Sequence, residues 1–336
     1  MLRKSLLLLS GVSVLALSAC SGVNHKIEEY VLKLDIPAEK VLDDFRILQL
    51  TDIHLGDKDN LEKHFKFMDL TIKDSHPDFI VVTGDLFTFA SKTTADRFFK
   101  YLDSKEVPWT VTYGNHDEQC YFSVDWLTSK LNKSYKNCVF KDIQDDDVQG
   151  NANFAINVMK GNHIFEQLII MDSNRYYYGN YFGYDYFKQN QIDWYANLVD
   201  HTTELNGGIP ARSLMFYHIP LPEIEDTWDY QTNTFKEGVE VKHPNTIEGE
   251  KTCNPEINTH FFETILEKKS TDGMYFGHDH YNDFLVNYKG IDFGYGIKAT
   301  DRIYFDEKVM GGRTIVVHND HSLSYEHHYH TYEEVK

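Results

Sequence analysis

Five short stretches of this 336-residue chain hold the side chains from which a metal centre is built. They are Asp52-x-His54, Gly84-Asp85, Asn115-His116-Asp117, His218 and His278-x-His280. Carboxylates, imidazoles and one carboxamide make a mixed nitrogen and oxygen donor set, which suits a transition-metal ion. Thiolates are missing from it. No Ser or Cys sits in a nucleophile motif, and no Gly-rich loop has the spacing of a phosphate cradle. Within Asn115-His116-Asp117 the amide offers a hard oxygen, the imidazole a proton near neutral pH, and the carboxylate a partner to fix the ring. Singly, each residue also has an ordinary use. Asp52 could cap a helix, Asp85 form a turn, His218 pack before a proline, and His278 and His280 end a strand.

What sets these stretches apart is where they fall. Each closes an apolar, strand-like run: Phe45–Leu50, 79–82, 107–112, 214–217 and 274–276. The run 79–82 is apolar throughout, as in a strand buried on both faces. Between the first three runs lie two helical patterns. One covers 61–74 with Leu61, Phe65, Met68 and Ile72 at helical spacing, and the other covers 94–103 with Phe98, Phe99 and Leu102 inward. Right-handed crossovers in such an alternation bring the strand ends to one edge of a parallel sheet. Ligands bind just beyond that edge. Gly114 is expected to supply the backbone freedom for the turn after 107–112.

Further along, 123–131 and 189–205 read as helices, and 142–147 as an acidic solvated loop. The stretches 152–159 and 163–171 read as a hairpin. Residues 176–186, rich in Tyr and Gly, either rim a site or pack as an aromatic loop. Arg175 is either a phosphate clamp or a surface residue. The stretch 220–255 has no periodicity and is expected to be a lid or specificity loop. Residues 257–269 read as a helix, and 284–332 as a β-meander. Its tail, Glu326-His327-His328-Tyr329-His330, is expected to be a plain strand edge, because no carboxylate cluster completes a metal site there.

Composition narrows the partners. A formal net charge of −19 argues against a nucleic-acid groove, which needs Lys and Arg for the phosphates. It leaves a phosphate substrate open where metal ions supply the local positive charge. Residues 1–20 form a basic start, an apolar stretch too short to span a bilayer comfortably, and Leu17-Ser18-Ala19-Cys20. This resembles a bacterial lipoprotein signal, with export and a membrane tether at lipidated Cys20. Residues 21–40 then read as a linker and 41–332 as one domain. Of the remaining cysteines, Cys120 and Cys138 are either bridged or separately buried, and Cys253 is left over.

The order and spacing of the five stretches resemble the calcineurin-like metallophosphoesterases. Their pattern is Asp-x-His, Gly-Asp, Gly-Asn-His-Asp/Glu, His and Gly-His-x-His, and it is met across 48–280. The resemblance implies an α/β fold, a four-layer αββα sandwich of two mixed β-sheets flanked by helices. It implies two metal ions of Fe, Mn or Zn. One is held by Asp52, His54, Asp85 and His280, the other by Asp85, Asn115, His218 and His278, with Asp85 between them. His116 becomes the catalytic imidazole and Asp117 its orienting partner. Two such ions acidify a bridging water and clamp phosphoryl oxygens for in-line displacement. The implied reaction is hydrolysis of a phosphate monoester, with diester hydrolysis or a non-catalytic metal- or phosphate-binding surface lipoprotein as alternatives. Tyr217-His218-Ile219-Pro220-Leu221-Pro222 and Gly277-His278-Asp279-His280-x-Asn282-Asp283 look closest to the small branch related to purple acid phosphatases. Purple enzymes place a Tyr three residues after the bridging Asp and lack the first His. Thr88 and His54 stand at those positions, so a tyrosinate-to-iron colour is not expected.

Overall fold

The computed structural model describes residues 27–142 and 147–336. The signal stretch with Cys20, the start of the linker and most of the acidic loop lie outside them. Two sheets face each other. The five-stranded sheet runs Leu323–Tyr329, Gly311–Val317, Phe45–Leu50, Phe79–Thr83, Trp109–Thr112, its last three strands parallel. The eight-stranded sheet runs Val31–Asp35, Phe154–Lys160, His163–Ile170, Ser213–Phe216, Thr271–Phe276, Ile291–Tyr295, Leu285–Tyr288, Val239–His243.

The two-residue period of a strand explains the layering. In the second sheet Phe154, Ile156, Leu214 and Phe216 point toward the first sheet, joining a core with Ile47, Val81 and Ile315. Their neighbours Ala155, Met215, Tyr217 and Met274 turn the other way, against Trp194, Leu198, Phe261 and Ile265. Those last four belong to the helices Gln189–Leu205 and Phe261–Lys268. The outer face of the five-stranded sheet is covered by Leu61–Ser75 and Lys92–Asp103, capped by the side chains of Asn60 and Ser91. The result is the expected αββα sandwich.

Two expectations need correction, and the open question of Cys120 and Cys138 is decided. Residues 220–255 are not a structureless lid: they hold the turn Pro222–Asp226, a small hairpin, and the strand Val239–His243 at the edge of the larger sheet. Residues 284–332 are not one meander. Leu285–Tyr288 and Ile291–Tyr295 stay in the larger sheet, whereas Gly311–Val317 and Leu323–Tyr329 cross to the smaller one. Cys120 and Cys138 are free thiols, as is Cys253.

Polar staples cross between the sheets. Gln49 Nε2 donates to the Phe276 carbonyl at 3.0 Å, and the Tyr275 and Tyr325 hydroxyls meet at 2.9 Å. Arg313, also fully enclosed, is a third staple, and its guanidinium donates to the carbonyls of Tyr295 and Asp283. Removing a donor from buried carbonyls exposes their full desolvation cost. Arg313→Leu is therefore expected to lower the unfolding free energy by about 2–5 kcal/mol in urea titrations. Arg212→Leu, which breaks a half-exposed pair with Asp272, should cost under ~1 kcal/mol. Equal costs for the two would show that Arg313 is not a staple.

Candidate metal centre

Strands of both sheets end at the same rim, and the backbone turns sharply there. Asp52, His54, Asp85 and His278 have φ of 53°, 52°, 49° and 82°. Left-handed conformations in non-glycine residues cost on the order of 1–3 kcal/mol each and gather where function requires them. Two glycines let the loops close. A Cβ on Gly84, itself at φ +85°, would lie 2.6 Å from the His218 ring. A Cβ on Gly114 would lie 2.5 Å from the Asp85 amide nitrogen. Gly114 thus serves close approach rather than the positive φ a turn would need.

The three metal-ligand groupings found among the described residues all lie at this rim: Asp52, His54 and His280; His54, Asp85 and His116; Asp85, His218 and His278. Within each, the donor atoms lie within 4.8 Å of one another. The first is tight: His54 Nε2 is 3.0 Å from His280 Nε2, and Asp52 Oδ1 is 3.4 Å from His280 Nε2. In the third, Asp85 Oδ2 is 3.2 Å from His218 Nε2. The same oxygen lies 3.6 Å from His54 Nε2, so Asp85 stands between the groups.

The imidazoles are aimed by what holds their other nitrogen. His218 Nδ1 donates to the Thr83 carbonyl at 2.7 Å, and His280 Nδ1 to the Tyr304 carbonyl at 2.8 Å. His54 Nδ1 pairs with Thr88 Oγ1 at 2.9 Å. A backbone acceptor on Nδ1 fixes the proton there and leaves Nε2 as a lone-pair donor, the usual support for a metal-bound histidine. Three buried atoms at this rim, Asn115 Oδ1, His218 Nε2 and His278 Nε2, have no hydrogen-bond partner. Buried polar atoms are rarely left so, and cations would satisfy all three. The donor set fits a metal pair.

Electrostatics agree. Burial pushes the His54 and His278 rings down to about 3, so both are neutral donors near neutral pH. Burial would raise Asp85, but the neighbouring His218 and His54 pull its carboxyl far below the usual carboxylate range. Asp52 is likewise raised by burial and lowered further by His280 and His54. His218 is pulled down by burial, yet Asp85 beside it outweighs this and lifts the ring to about 10.

His116 sits beside the cluster, its ring 4.9 Å from that of His54. Asp117 does not orient it. The Asp117 carboxylate turns under the loop and accepts from the Phe87 and Gly114 amides at 3.0 and 2.8 Å. His116 Nδ1 is held instead by Gln119 Oε1 at 2.9 Å. The Arg175 guanidinium lies 3.6 Å from Asp172 and 4.0 Å from Glu118. The next residue, Tyr176, reaches the site, its hydroxyl taking a bond from Asn115 Nδ2 at 2.8 Å. Tyr184 meets the His278 ring edge-on at 4.3 Å, so the aromatic stretch does rim the site. Sequence reasoning also missed Lys298, fully buried, whose Nζ donates to the Asp52 carbonyl at 2.8 Å. Nothing in the local sequence marks it.

A family model described as calcineurin-like phosphoesterase matches residues 45–282. The chain is 27% identical over 288 residues to "Probable inactive purple acid phosphatase 14" of Arabidopsis thaliana, covering 75% of this chain and 69% of that protein. It is 26% identical over 277 residues to "Phosphatase DCR2" of Saccharomyces cerevisiae, covering 72% of this chain and 45% of that one. The crystal structure of a dimetal phosphatase from Danio rerio shares the fold, with a TM-score of 0.51 at 14% identity, covering 81% of this chain and 95% of that chain. Since the matched segment carries all five rim stretches and covers more than half of the sequence, the chain belongs to the calcineurin-like phosphoesterase family.

Proposed function

We propose that this protein is a metal-dependent hydrolase of phosphate monoesters, with diesters as the second substrate class. One observation carries the reading. Two groups of buried donors share Asp85, and three of their atoms make no hydrogen bond within the protein. Asp52, His54, Asp85 and His280 would hold one ion and Asp85, Asn115, His218 and His278 the other; Fe, Mn and Zn all suit these donors. A bound pair supplies a water acidified for attack and positive charge against the phosphoryl oxygens.

The remaining work falls to the chain. Gln119 Oε1 accepts the His116 Nδ1 proton, which leaves Nε2 to carry a second proton toward the leaving oxygen. Asp117 keeps the Gly114 and Phe87 loops in place beneath it. Thr88, where a purple enzyme has its tyrosine, steadies His54 instead. A non-catalytic reading draws support from three Arabidopsis relatives whose names call them probably inactive purple acid phosphatases. Metal-loaded protein without turnover on a panel of monoesters, diesters and nucleotides would favour it. We also propose that residues 1–20 are a lipoprotein signal, that Cys20 tethers the exported protein to a membrane, and that 41–332 act as one catalytic domain.

Three outcomes follow from these assignments. His116→Ala is expected to keep its metals and lose ~10²–10⁴-fold in kcat on alkyl phosphates, with a much smaller loss on activated aryl phosphates. Equal loss on both classes would remove the proton-donor role. In the cation-free protein His218 holds its proton up to about pH 10, so near neutral pH a cation must displace it. Calorimetry in buffers of different protonation enthalpy should therefore show proton release on Mn or Zn uptake, and affinity that weakens as pH falls. Uptake without proton release would contradict the assignment of His218 as a ligand. In a bacterial host the full chain should sediment with membranes, and Cys20→Ala should release it to the soluble fraction; wild-type protein in the soluble fraction would sink the tether.

A further inference from the structure

Tyr176 opens the short hairpin Tyr176–Tyr178 with Phe182–Tyr184. Its ring lies against Phe182 and Tyr184 at 5.6 and 6.0 Å, and Tyr184 in turn rests on His278. The hairpin is thus seated on the Asp85, His218 and His278 group. The Tyr176 hydroxyl meets two carboxamides there, Asn115 Nδ2 at 2.8 Å and Gln119 Nε2 at 3.3 Å.

The orientation of both amides is set from their far ends. Gln119 Oε1 is occupied by His116 Nδ1, which turns its NH2 toward the tyrosine. Asn115 Oδ1 is the buried atom left for a cation, which turns its NH2 the same way. A phenolic oxygen has two lone pairs and one proton. Both lone pairs are filled by these amides. Among the described residues, the hydrogen bonds at this hydroxyl are the two it accepts, so its own proton is left to donate.

We propose that Tyr176 is a substrate-binding residue, giving this proton as a hydrogen bond to a phosphoryl oxygen held beside Asn115. This rests on the hydrolase reading, since it needs a phosphoryl group at the cation pair. The ligand class is the phosphate dianion or the head of its ester. The arrangement also joins two parts of the site, because one hydroxyl borders both the amide of Asn115 and, through Gln119, the ring of His116. A phosphoryl group bound at Tyr176 therefore lies within reach of both.

The test is calorimetric titration of inorganic phosphate into the full chain loaded with Mn or Zn, alongside Tyr176→Phe and Tyr178→Phe. Tyr178 stands exposed on the same hairpin and serves as the control. Hydrogen bonds to charged groups translate to about a 10-fold weaker Kd for Tyr176→Phe, with metal content unchanged by elemental analysis. Tyr178→Phe should bind as wild type does. Unchanged phosphate affinity in Tyr176→Phe overturns the proposal, and so does loss of metal from that variant, which would make the hydroxyl only a support for Asn115. Wild-type protein that holds two metals yet binds no phosphate would overturn the hydrolase reading as well, a result distinct from wild type and variant binding alike.

Discussion

The whole rim depends on holding lone pairs against one another. Asp85 Oδ2 lies 3.2 and 3.6 Å from the Nε2 atoms of His218 and His54, and His54 Nε2 in turn meets His280 Nε2 at 3.0 Å. Such a cluster repels itself unless protons or cations are shared among its members. Folding pays for it through the surrounding packing: the sheet core below is continuous and almost fully buried. Backbone carbonyls hold the Nδ1 protons of His218 and His280, so two of the rings stay aimed inward in the absence of an ion. Preorganisation of this kind moves the cost of assembling the site from the binding step to the folding step.

The left-handed residues show how that cost is distributed. Asp52 and His54 follow one strand, Asp85 another, His278 a third, and all four take positive φ without being glycine. Each turns a side chain from the strand direction into the shared space above the rim. Asp52 is then gripped by the Thr51 hydroxyl and the His278 amide, at 2.8 and 3.0 Å. That grip ties a loop of one sheet to a loop of the other. Staples such as Gln49 and Arg313, running from sheet to sheet, keep the two sets of strand ends in register. Ligands drawn from both sheets therefore report on the sandwich as a whole.

The strand ends and the donors they carry were legible in the sequence because apolar runs and polar punctuation are local signals. Phe79–Thr83 is buried throughout and stops at Gly84-Asp85 as its composition requires. Failures came where geometry is not local. Asp117 and His116 are adjacent, yet the tight turn sends one under the loop and the other over it. Gln119 and Tyr176 meet 57 residues apart in a contact no spacing rule describes. The strand Val239–His243 alternates Val-Glu-Val-Lys over only five residues and is mostly solvent-facing at a sheet edge, too short a signal to stand out within a polar stretch. Gly311–Val317 has the same pattern whichever sheet receives it, and its crossing was invisible for that reason.

An acidic chain that took up a dianion, as proposed, would have to gather positive charge at one point and shield it from the rest. With 52 Asp and Glu against 33 Lys and Arg, the general field opposes phosphate. The rim contributes the carboxylates of Asp52 and Asp85, while burial raises those of Asp117 and Asp279 nearby. Two divalent ions bound as proposed would outweigh those two carboxylates, in a setting where charges are poorly screened. Neutral His54 and His278 donate without reversing that balance. The donors that complete the surroundings, Tyr176, Gln119 and Asn115, are likewise uncharged, so they order the site without adding to the field. Specificity for phosphate over other anions would then have to come from hydrogen bonds of fixed direction, and among the described residues the aromatic hairpin carries a hydroxyl beside Asn115 whose proton the protein leaves unspent.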